Sequence, residues 1–453
     1  MRSAFGDDGS RLQIDGFTLG IDAVVASLRS GAAAELSDSA RERCRSRRAQ
    51  VARWLTDDAP VIYGVNTGLG NLKDVVLSPT EHAEWNRTIP YPHAAGLGDY
   101  IHPEITRTAL LVRANVLARG YSGARPELIE RLIALYNAGI SPAIRELASV
   151  GLSDLAPLSH IAMVVSGIPG GRVLEGDRVV EASRALAQAG LPERFAYECK
   201  DTLSTINGAS MTQAAGVLAV HSAGLLLDLC DELDIAARNV WATLRSWPAS
   251  AADRAEVEYG RAAFGASIRE SFAEIRATLD TECNVSCDNP LLFAEGDEYV
   301  AVMGCNCSNT QVGYDLDLLC ILLAERAALL LASLDRLITD FGLSDELYED
   351  AARSLQGLGE RAAPASTDSI PTKSGQEDHV EFSYGAARKV FVSIGHLRDL
   401  LSIIVIALVQ APAELELPPG LHGASRKADL STVRALIDRR CEVIPFQVRA
   451  YSE

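Results

Sequence analysis

The hydrophobic positions in the second half of the chain recur with helical spacing over long stretches. Four segments, at 209–245, 261–280, 308–340 and 380–412, carry apolar residues on nearly every face. A helix that is apolar all round must be enclosed by other elements, so these segments predict a buried helical bundle. The apolar run Leu400–Val409 is too short and too closely flanked by charges to cross a bilayer, so it predicts a central helix of the core.

The first half of the chain shows shorter and more varied patterns. Helical spacing appears over residues 40–55, 108–118 and 127–137. Glycine and proline punctuate residues 61–100, and this stretch predicts loops. The first half therefore predicts a smaller unit with fewer long helices than the second half.

Length and composition fit this division. At 453 residues the chain exceeds the usual size of one domain. Hydrophobic residues make up 48% but aromatic residues only 6%, which indicates an aliphatic interior suited to helices. We predict a mainly α fold, with an N-terminal lobe over residues 1–200 and a bundle of long helices over 201–453.

The net charge indicates which partners to expect, and the cysteine content indicates the cellular compartment. The formal net charge is −18, which argues against nucleic acid or an anionic membrane surface as the main partner. The N-terminal segment lacks the apolar core of a signal peptide, and nine cysteines are an odd number without the density of a secreted scaffold. We therefore expect a cytoplasmic protein with reduced thiols.

A glycine-rich segment, Ile62–Gly70, is a candidate for chemistry and is here named the lid loop. It reads Ile-Tyr-Gly-Val-Asn-Thr-Gly-Leu-Gly, and its spacing fits neither a Walker loop nor a dinucleotide fingerprint. Its glycines permit backbone conformations that other residues adopt only at a cost. From these residues alone, a surface turn around a packed Tyr63 and an active-site loop both remain open.

The segment Gly151–His160 carries the most specific signal. It reads Gly-Leu-Ser-Asp-Leu-Ala-Pro-Leu-Ser-His and resembles the Gly-Ala-Ser-Gly-Asp-Leu-Ala-Pro-Leu-Ala-His signature of the aromatic amino acid ammonia-lyases and aminomutases. The lid loop is similar to that family's Tyr-Gly-Val-Asn-Thr-Gly-Phe-Gly. Residues 369–380 resemble its Gln-Glu-Asp-His segment, and Cys287–Leu291 resembles a Ser-Asp-Asn-Pro-Leu scaffold turn. The resemblance to the family runs from about 60 to 415. Within it Pro92–Gly98, which reads Pro-His-Ala-Ala-Gly-Leu-Gly, is similar to the Ser-His-Ala-Ala-Gly-Thr-Gly stretch of histidine ammonia-lyases in particular.

The resemblance implies a fold and a set of site residues. The fold is the long-helix bundle of the fumarase/aspartase-like type, assembled as a homotetramer, with the lid loop in the smaller lobe. Tyr63 matches the base that removes a β-proton, and Glu377 matches a carboxylate facing the substrate amine. The implied substrate-binding residues are His93, Asn207, Asn306 and Gln376. Structural roles remain open: His93 as a packing residue, Asn207 as a helix N-cap and Glu377 as an acid in a first helical turn.

The chain departs from the family at the self-processing triad. In the family, Ala-Ser-Gly cyclises and loses two waters to form the electrophile 4-methylidene-imidazol-5-one (MIO). Here Leu152-Ser153 is followed directly by Asp154, so one residue is missing and the glycine is absent. Glycine permits the tight bend of this cyclisation, so we predict that MIO does not form from these three residues. We predict Ser153 as a catalytic residue. The alternative is that it serves as an ordinary helix N-cap.

Two further family features are absent. The family's Gln-Asp-Pro-Tyr-Ser-x-Arg segment, whose arginine binds the substrate carboxylate, has no counterpart around Tyr259 and Arg261, and the register does not establish either residue as a substitute. The family's Gly-Gly-Asn-Phe-His reads Gly-Cys-Asn-Cys-Ser here. The cysteines that could come together are Cys283, Cys287, Cys305 and Cys307. Their spacing is not a zinc signature and buried cysteines are common, so we predict no metal, with a reactive thiol as an alternative.

These features predict a carbon–heteroatom lyase, or a related addition or cyclisation enzyme. Its substrate would be a small molecule derived from an amino acid, including a modified or carrier-bound one, and its chemistry would not use a standard MIO group. Two alternatives remain. One is a non-catalytic binding or regulatory homologue on the same scaffold, and the other is a conventional MIO-dependent ammonia-lyase or aminomutase.

Overall fold

The computed structural model is mainly helical. It describes residues 4, 11–56, 58–241, 251–296, 298–304, 306–371, 378–411 and 417–448, with the backbone alone at 71, 79 and 251–262. The helices are α1 (Ile21–Ser30), α2 (Asp38–Arg53), α3 (Pro79–Thr88), α4 (Pro90–His93), α5 (Pro103–Ala118), α6 (Pro126–Asn137), α7 (Leu155–Ser166), α8 (Ala182–Gln188), α9 (Asp201–Ile206), α10 (Ser210–Trp241), α11 (Ala251–Glu282), α12 (Thr310–Phe341), α13 (Asp345–Arg361), α14 (Ser383–Gln410) and α15 (Leu430–Arg440).

Among the described residues, short strands form four small sheets. The strands are β1 (Leu12–Ile14), β2 (Ala34–Leu36), β3 (Leu97–Ile101), β4 (Ser141–Pro142), β5 (Arg145–Leu147), β6 (Arg172–Glu175), β7 (Arg178–Glu181), β8 (Leu291–Glu295), β9 (Glu298–Val302) and β10 (Gln447–Val448). β1 and β2 pair in parallel. The sheets β10-β3-β5, β4-β6-β7 and β8-β9 are antiparallel.

The four predicted long helices are confirmed as α10, α11, α12 and α14. α12 packs against α10, α11 and α14, and α14 packs against α10 as well. Leu400 to Leu408 of α14 are buried, as expected of a central helix. By length and composition alone, α14 and the stretch Asp201–Trp241 are apolar enough to cross a membrane. Most of each is buried inside the protein, which is typical of core helices.

The stretch predicted as loops, residues 61–100, contains regular structure, and that prediction was wrong there. α3 and α4 form within it, and β3 begins at its end. Ser78 and Glu81 form a reciprocal capping box that starts α3. Prolines at the first helical positions of α3 and α4 favour a helix start, so proline in this stretch marks the beginning of helices as well as loops.

The bundle and the first half of the chain share one core. α5, from the first half, packs against α10 of the bundle. Leu110, Leu218 and Leu400 belong to the same cluster of buried apolar residues. The mostly polar α13 was missed by the apolar pattern. Ser344 caps its start, and it packs against α12 and α14.

Candidate active site

The loop that leads into α7 follows a left-handed course over three successive residues. The φ angles are 102° at Gly151, 47° at Leu152 and 91° at Ser153. A residue other than glycine in this region costs about 1–3 kcal/mol, so the surroundings must hold Leu152 and Ser153 in place. The Leu152 N–H donates to Glu381 Oε2 at 3.1 Å, and the Asp154 N–H donates to the Gly208 carbonyl at 2.7 Å.

Ser153 is buried, and its hydroxyl is bonded to one neighbouring residue. Its Oγ accepts the Gly208 N–H at 2.8 Å and donates to the Gly208 carbonyl at 3.3 Å. Asp154, not Ser153, occupies the N-cap position of α7, so the N-cap alternative for Ser153 was wrong. The Asp154 carboxylate accepts the Thr212 N–H at 2.8 Å and its Oγ1 at 3.1 Å, in the first turn of α10. Ser153 therefore ties the loop to the start of α10.

Four helix starts meet at this loop, and two buried carboxylates lie among them. Asp154 joins the starts of α7 and α10. Glu381 precedes α14 and accepts the Asn309 N–H, just before α12, at 2.9 Å through Oε1. Helix N-termini carry partial positive charge, which carboxylates offset. The pKa of Asp154 is raised to about 6: burial is the main cause and the nearby Glu381 adds to it, while hydrogen bonds from Thr212 and Ser149 oppose the shift.

The residues at this loop do not fit an MIO group. Counted back from Asp154 without a gap, the family's Ala-Ser-Gly falls on Gly151, Leu152 and Ser153. Leu152 then stands where a hydroxyl must leave as water. If Ser153 is taken as the central residue instead, the attacking nitrogen belongs to Asp154, whose N–H already donates to Gly208. A Cβ at position 151 would also overlap the Glu381 carbonyl oxygen, so the family's alanine has no room.

Asn207 lies at the end of α9 in a corner of paired polar groups, here named the Asn207 corner. Its Nδ2 donates to Asp288 Oδ1 at 3.2 Å and to the Asn289 carbonyl at 3.3 Å. Asp288 is fully buried, and its Oδ2 accepts from Lys200 Nζ at 3.2 Å and Ser204 Oγ at 3.1 Å. Asn207 ends a helix and does not begin one, so the N-cap alternative was wrong.

Arg113 of α5 braces the same corner and was not identified from the sequence. It is fully buried and donates to the carbonyls of Ser204, Asn207 (2.6 Å) and Cys287 (2.9 Å). A Cβ at Gly208 would overlap the Arg113 guanidinium, so only glycine permits this approach. The available signal was a single arginine in the apolar run Leu-Leu-Val-Arg-Ala of α5. A buried guanidinium of this kind needs acceptors.

The lid loop rests against the Asn207 corner. Gly64 has a φ of 68°, and a Cβ there would lie 2.7 Å from Leu203 and 3.1 Å from Pro290. Tyr63 is half-buried, and its phenol oxygen is 3.4 Å from the Gly70 amide nitrogen. An N–H donor at this position stabilises a phenolate, the form in which tyrosine acts as a base.

His93 lies at the end of α4, which packs along α7. Its Nδ1 is 2.9 Å from the Ile89 carbonyl oxygen. His160 of α7 hydrogen-bonds the Ala95 backbone two residues farther on, and burial lowers its pKa. The structure therefore places the His93 segment beside the helix that begins at the 151–153 loop.

The structure describes only some of the remaining predicted residues. Asn306 is exposed, its Nδ2 donates to the Ser286 carbonyl, and its backbone pairs with that of Asp288. Gln376, Glu377 and Cys305 lie outside the described residues, as do the side chains of Tyr259 and Arg261. Glu381, which contacts the 151–153 loop, lies two residues after the Gln-Glu-Asp-His sequence and was not identified from the sequence.

The described cysteines near the site are buried thiols. Burial raises the pKa of Cys287 to about 12 and raises that of Cys283 further, which disfavours the reactive thiolate at neutral pH. Cys307 is buried as well. Within the part of the chain that the structure describes, no three His, Cys, Asp or Glu side chains are grouped so as to hold a metal ion.

The chain is similar to ammonia-lyases and aminomutases in sequence or in fold. A histidine ammonia-lyase from Gloeobacter violaceus is 32% identical over 480 aligned positions, covering 94% of this chain and 91% of that protein. The crystal structure of histidine ammonia-lyase from Trypanosoma cruzi matches with a TM-score of 0.83 at 24% identity, covering 98% and 99% of the two chains. A tyrosine aminomutase from Streptomyces globisporus matches with a TM-score of 0.80 at 24% identity, covering 94% and 97%. At this identity the two structures support the fold.

The family model for aromatic amino acid lyases matches residues 19–242 and 262–434. The interruption, 243–261, covers most of the stretch where the carboxylate-binding segment of the family was not found. The two matched parts include the lid loop, the 151–153 loop and the Asn207 corner. The chain therefore belongs to the aromatic amino acid lyase family, a family of carbon–nitrogen lyases.

Proposed function

We propose that this protein eliminates a nitrogen group from a small, amino acid-derived substrate without an MIO electrophile. The observation that carries the proposal is the 151–153 loop. Leu152 offers no hydroxyl to eliminate, and the Asp154 nitrogen is already bonded to Gly208. We also propose that the protein is cytoplasmic and that it assembles as a homotetramer.

Without an electrophile, the reaction depends on proton removal and on the leaving group. Tyr63 would remove the proton, with the Gly70 N–H stabilising its phenolate. The helix starts around the 151–153 loop would stabilise negative charge that develops on the substrate carbon. Asn207 and His93 would orient the substrate, and Glu377 would assist the departing nitrogen. Such a site suits a substrate whose nitrogen already leaves readily, including a modified or carrier-bound amino acid.

The first experiment is the intact mass of the purified protein, with peptide mapping across residues 148–160. We expect the full mass of the unmodified chain. A loss of two waters within this peptide would contradict the proposal and would support a conventional MIO-dependent ammonia-lyase or aminomutase.

A second experiment tests catalysis itself. The protein is incubated with histidine, tyrosine, phenylalanine and their N-methylated derivatives, and released amines and unsaturated acids are measured by mass spectrometry. We expect release from an N-methylated substrate and a loss of at least about 100-fold in Tyr63→Phe, because the general base is removed. The control is Tyr348→Phe, which changes a tyrosine on the surface of α13. No release, or equal release by the two variants, would favour the non-catalytic homologue.

A further inference from the structure

We infer that three arginines form a site for a phosphate group, either the free ion or a phosphate carried by a small molecule. They are Arg43 and Arg47 of α2 and Arg119, which directly follows α5, and they are here named the arginine cluster. None of the three belongs to the candidate active site. The inference therefore goes beyond the proposed function and is tested independently of it.

The three guanidinium groups lie close together around two aromatic rings. The guanidinium carbons of Arg43 and Arg119 are 4.9 and 4.7 Å from the centre of the Phe17 ring. Those of Arg47 and Arg119 are 4.3 and 5.7 Å from the centre of the Tyr121 ring. Burial lowers the pKa of Arg119, and the charges of Arg43 and Arg47 lower it further, whereas Tyr121 raises it. Three like charges are thus held within interacting distance.

The hydrogen bonds of the arginine cluster go to neutral acceptors. Arg43 donates to two backbone carbonyl groups, and Arg119 donates to two others and to the hydroxyl of Ser286. Arg47 donates to the Arg119 carbonyl at 3.5 Å. Among the described residues, none of the three guanidinium groups forms an ion pair with a carboxylate.

Other arginines of α2 differ in this respect. Arg41 pairs with two carboxylates, and Arg48 pairs with one. The acid nearest in sequence to the Phe17 ring is Asp15, and its carboxylate accepts the backbone N–H groups of Phe17 and Thr18. The uncompensated positive charge is therefore particular to the arginine cluster, on a chain whose formal net charge is −18.

Two donors of the cluster point to an anion as the ligand. The Nε atoms of Arg43 and Arg47 are buried and have no hydrogen-bond partner among the described residues. A buried donor of a charged group is costly when it is left unpaired. All three arginines are only half-buried, so an ion from solvent can reach the cluster. Phosphate offers several acceptor oxygens and two negative charges, and guanidinium groups bind it through paired hydrogen bonds.

Aromatic side chains beside the cluster can contact the organic part of a phosphate ester. Phe17 and Phe293 are 50% and 41% exposed. The Phe293 ring centre is 5.2 Å from that of Tyr121, and Tyr299 lies 5.6 Å from the guanidinium carbon of Arg47. Exposed aromatic surface next to guanidinium groups suits a phosphorylated molecule with an aromatic or apolar body.

The test is isothermal titration of the full-length protein with inorganic phosphate and with phenyl phosphate. It is done at about pH 8, where phosphate carries close to two charges, and at constant ionic strength set with sodium chloride. We expect binding of at least one probe, weakened at least about 10-fold in Arg47→Gln, because a charge-assisted contact is lost. The matched control is Arg45→Gln. It removes the same charge from an exposed side chain of α2, about 200° around the helix from Arg47, and should leave binding unchanged.

The outcomes separate the source of the phosphate from the failure of the inference. Tighter binding of phenyl phosphate would mean that the site takes a phosphorylated molecule, and binding of inorganic phosphate at least as tight would mean that it takes the free ion. Circular dichroism shows whether each variant is folded. If Arg47→Gln is not, Arg47→Lys replaces it, and we expect weaker binding because the planar fork is lost. No binding of either probe at millimolar concentration, or an equal affinity in the Arg47 and Arg45 variants, would overturn the inference.

Discussion

The 151–153 loop and the Asn207 corner meet at Gly208, yet different interactions hold them in place. In the corner every charge has a partner: Lys200 faces Asp288, and Arg113 is surrounded by carbonyl oxygens. In the loop, two successive uncharged residues other than glycine adopt positive φ, whereas in the corner Lys200 alone does so. The corner resembles the family in its motifs, whereas the loop differs from it. The contrast is therefore one of sequence as well as of structure: the corner keeps the family's Asn-Gly and Asp-Asn-Pro-Leu residues, whereas the loop departs from the family's Ala-Ser-Gly triad.

The largest effect on stability is expected from Gly151→Ala in the 151–153 loop. The new methyl group would overlap the backbone carbonyl of Glu381, and the φ of 102° adds strain. We expect a loss of about 5 kcal/mol in the free energy of unfolding, measured by chemical denaturation. Gly139→Ala is the matched control: its φ is 70°, but nothing lies within 4 Å, so its cost should be about 1 kcal/mol. Equal losses would show that the loop is not packed against Glu381.

The next largest effect should arise in the Asn207 corner. Lys200→Met leaves the Asp288 carboxylate buried without its cation, which we expect to cost about 4 kcal/mol. Arg353→Met removes one partner of the exposed pairs with Glu349 and Asp350, and should cost less than about 1 kcal/mol. Denaturant unfolding of the two variants checks the difference. Similar small losses in the two variants would mean that the Lys200–Asp288 ion pair does not stabilise the Asn207 corner.

A pH dependence should separate the loop from the corner. The pKa of Asp154 in the folded protein is about 6, above its value near 3.8 in the unfolded chain, so the folded state binds this proton more tightly. The resulting stabilisation is complete below pH 4 and is lost as the pH rises through 6. It amounts to about 3 kcal/mol. Asp154→Asn should remove this slope between pH 4 and 6. A slope that persists in the variant would assign it to another group.

The sequence predicted the elements with strong periodicity and the motifs with strong resemblance. The long helices α10, α12 and α14 lie within a few residues of their predicted bounds, because a buried helix must be apolar along its whole length. Glu381 and Arg113 were not predicted. Each acts through backbone groups that are distant in sequence, and no local pattern indicates such contacts. The positive φ angles of Leu152 and Ser153 were not predicted for the same reason.

The smallest effect, and the most local one, is expected from Glu381→Gln. The carboxylate accepts the N–H groups of Leu152 and Asn309, and an amide in its place can accept only one of them without turning its NH₂ toward the other. We expect a cost of about 2 kcal/mol in denaturant unfolding, compared with less than about 0.5 kcal/mol for Glu360→Gln, which alters an exposed acceptor on α13.

Hydrogen exchange shows whether the effect of Glu381→Gln is confined to the contacts of Glu381 or extends to the Asn207 corner. In Glu381→Gln the amides of Leu152 and Asn309 should exchange faster, because one of them loses its acceptor in each orientation of the new side chain. The Asn289 amide, which donates to Asp288, should be unchanged because the Asn207 corner does not contact Glu381 among the described residues. Faster exchange at Asn289 as well would contradict the division, and it would mean that the loop and the corner open as one unit through Gly208.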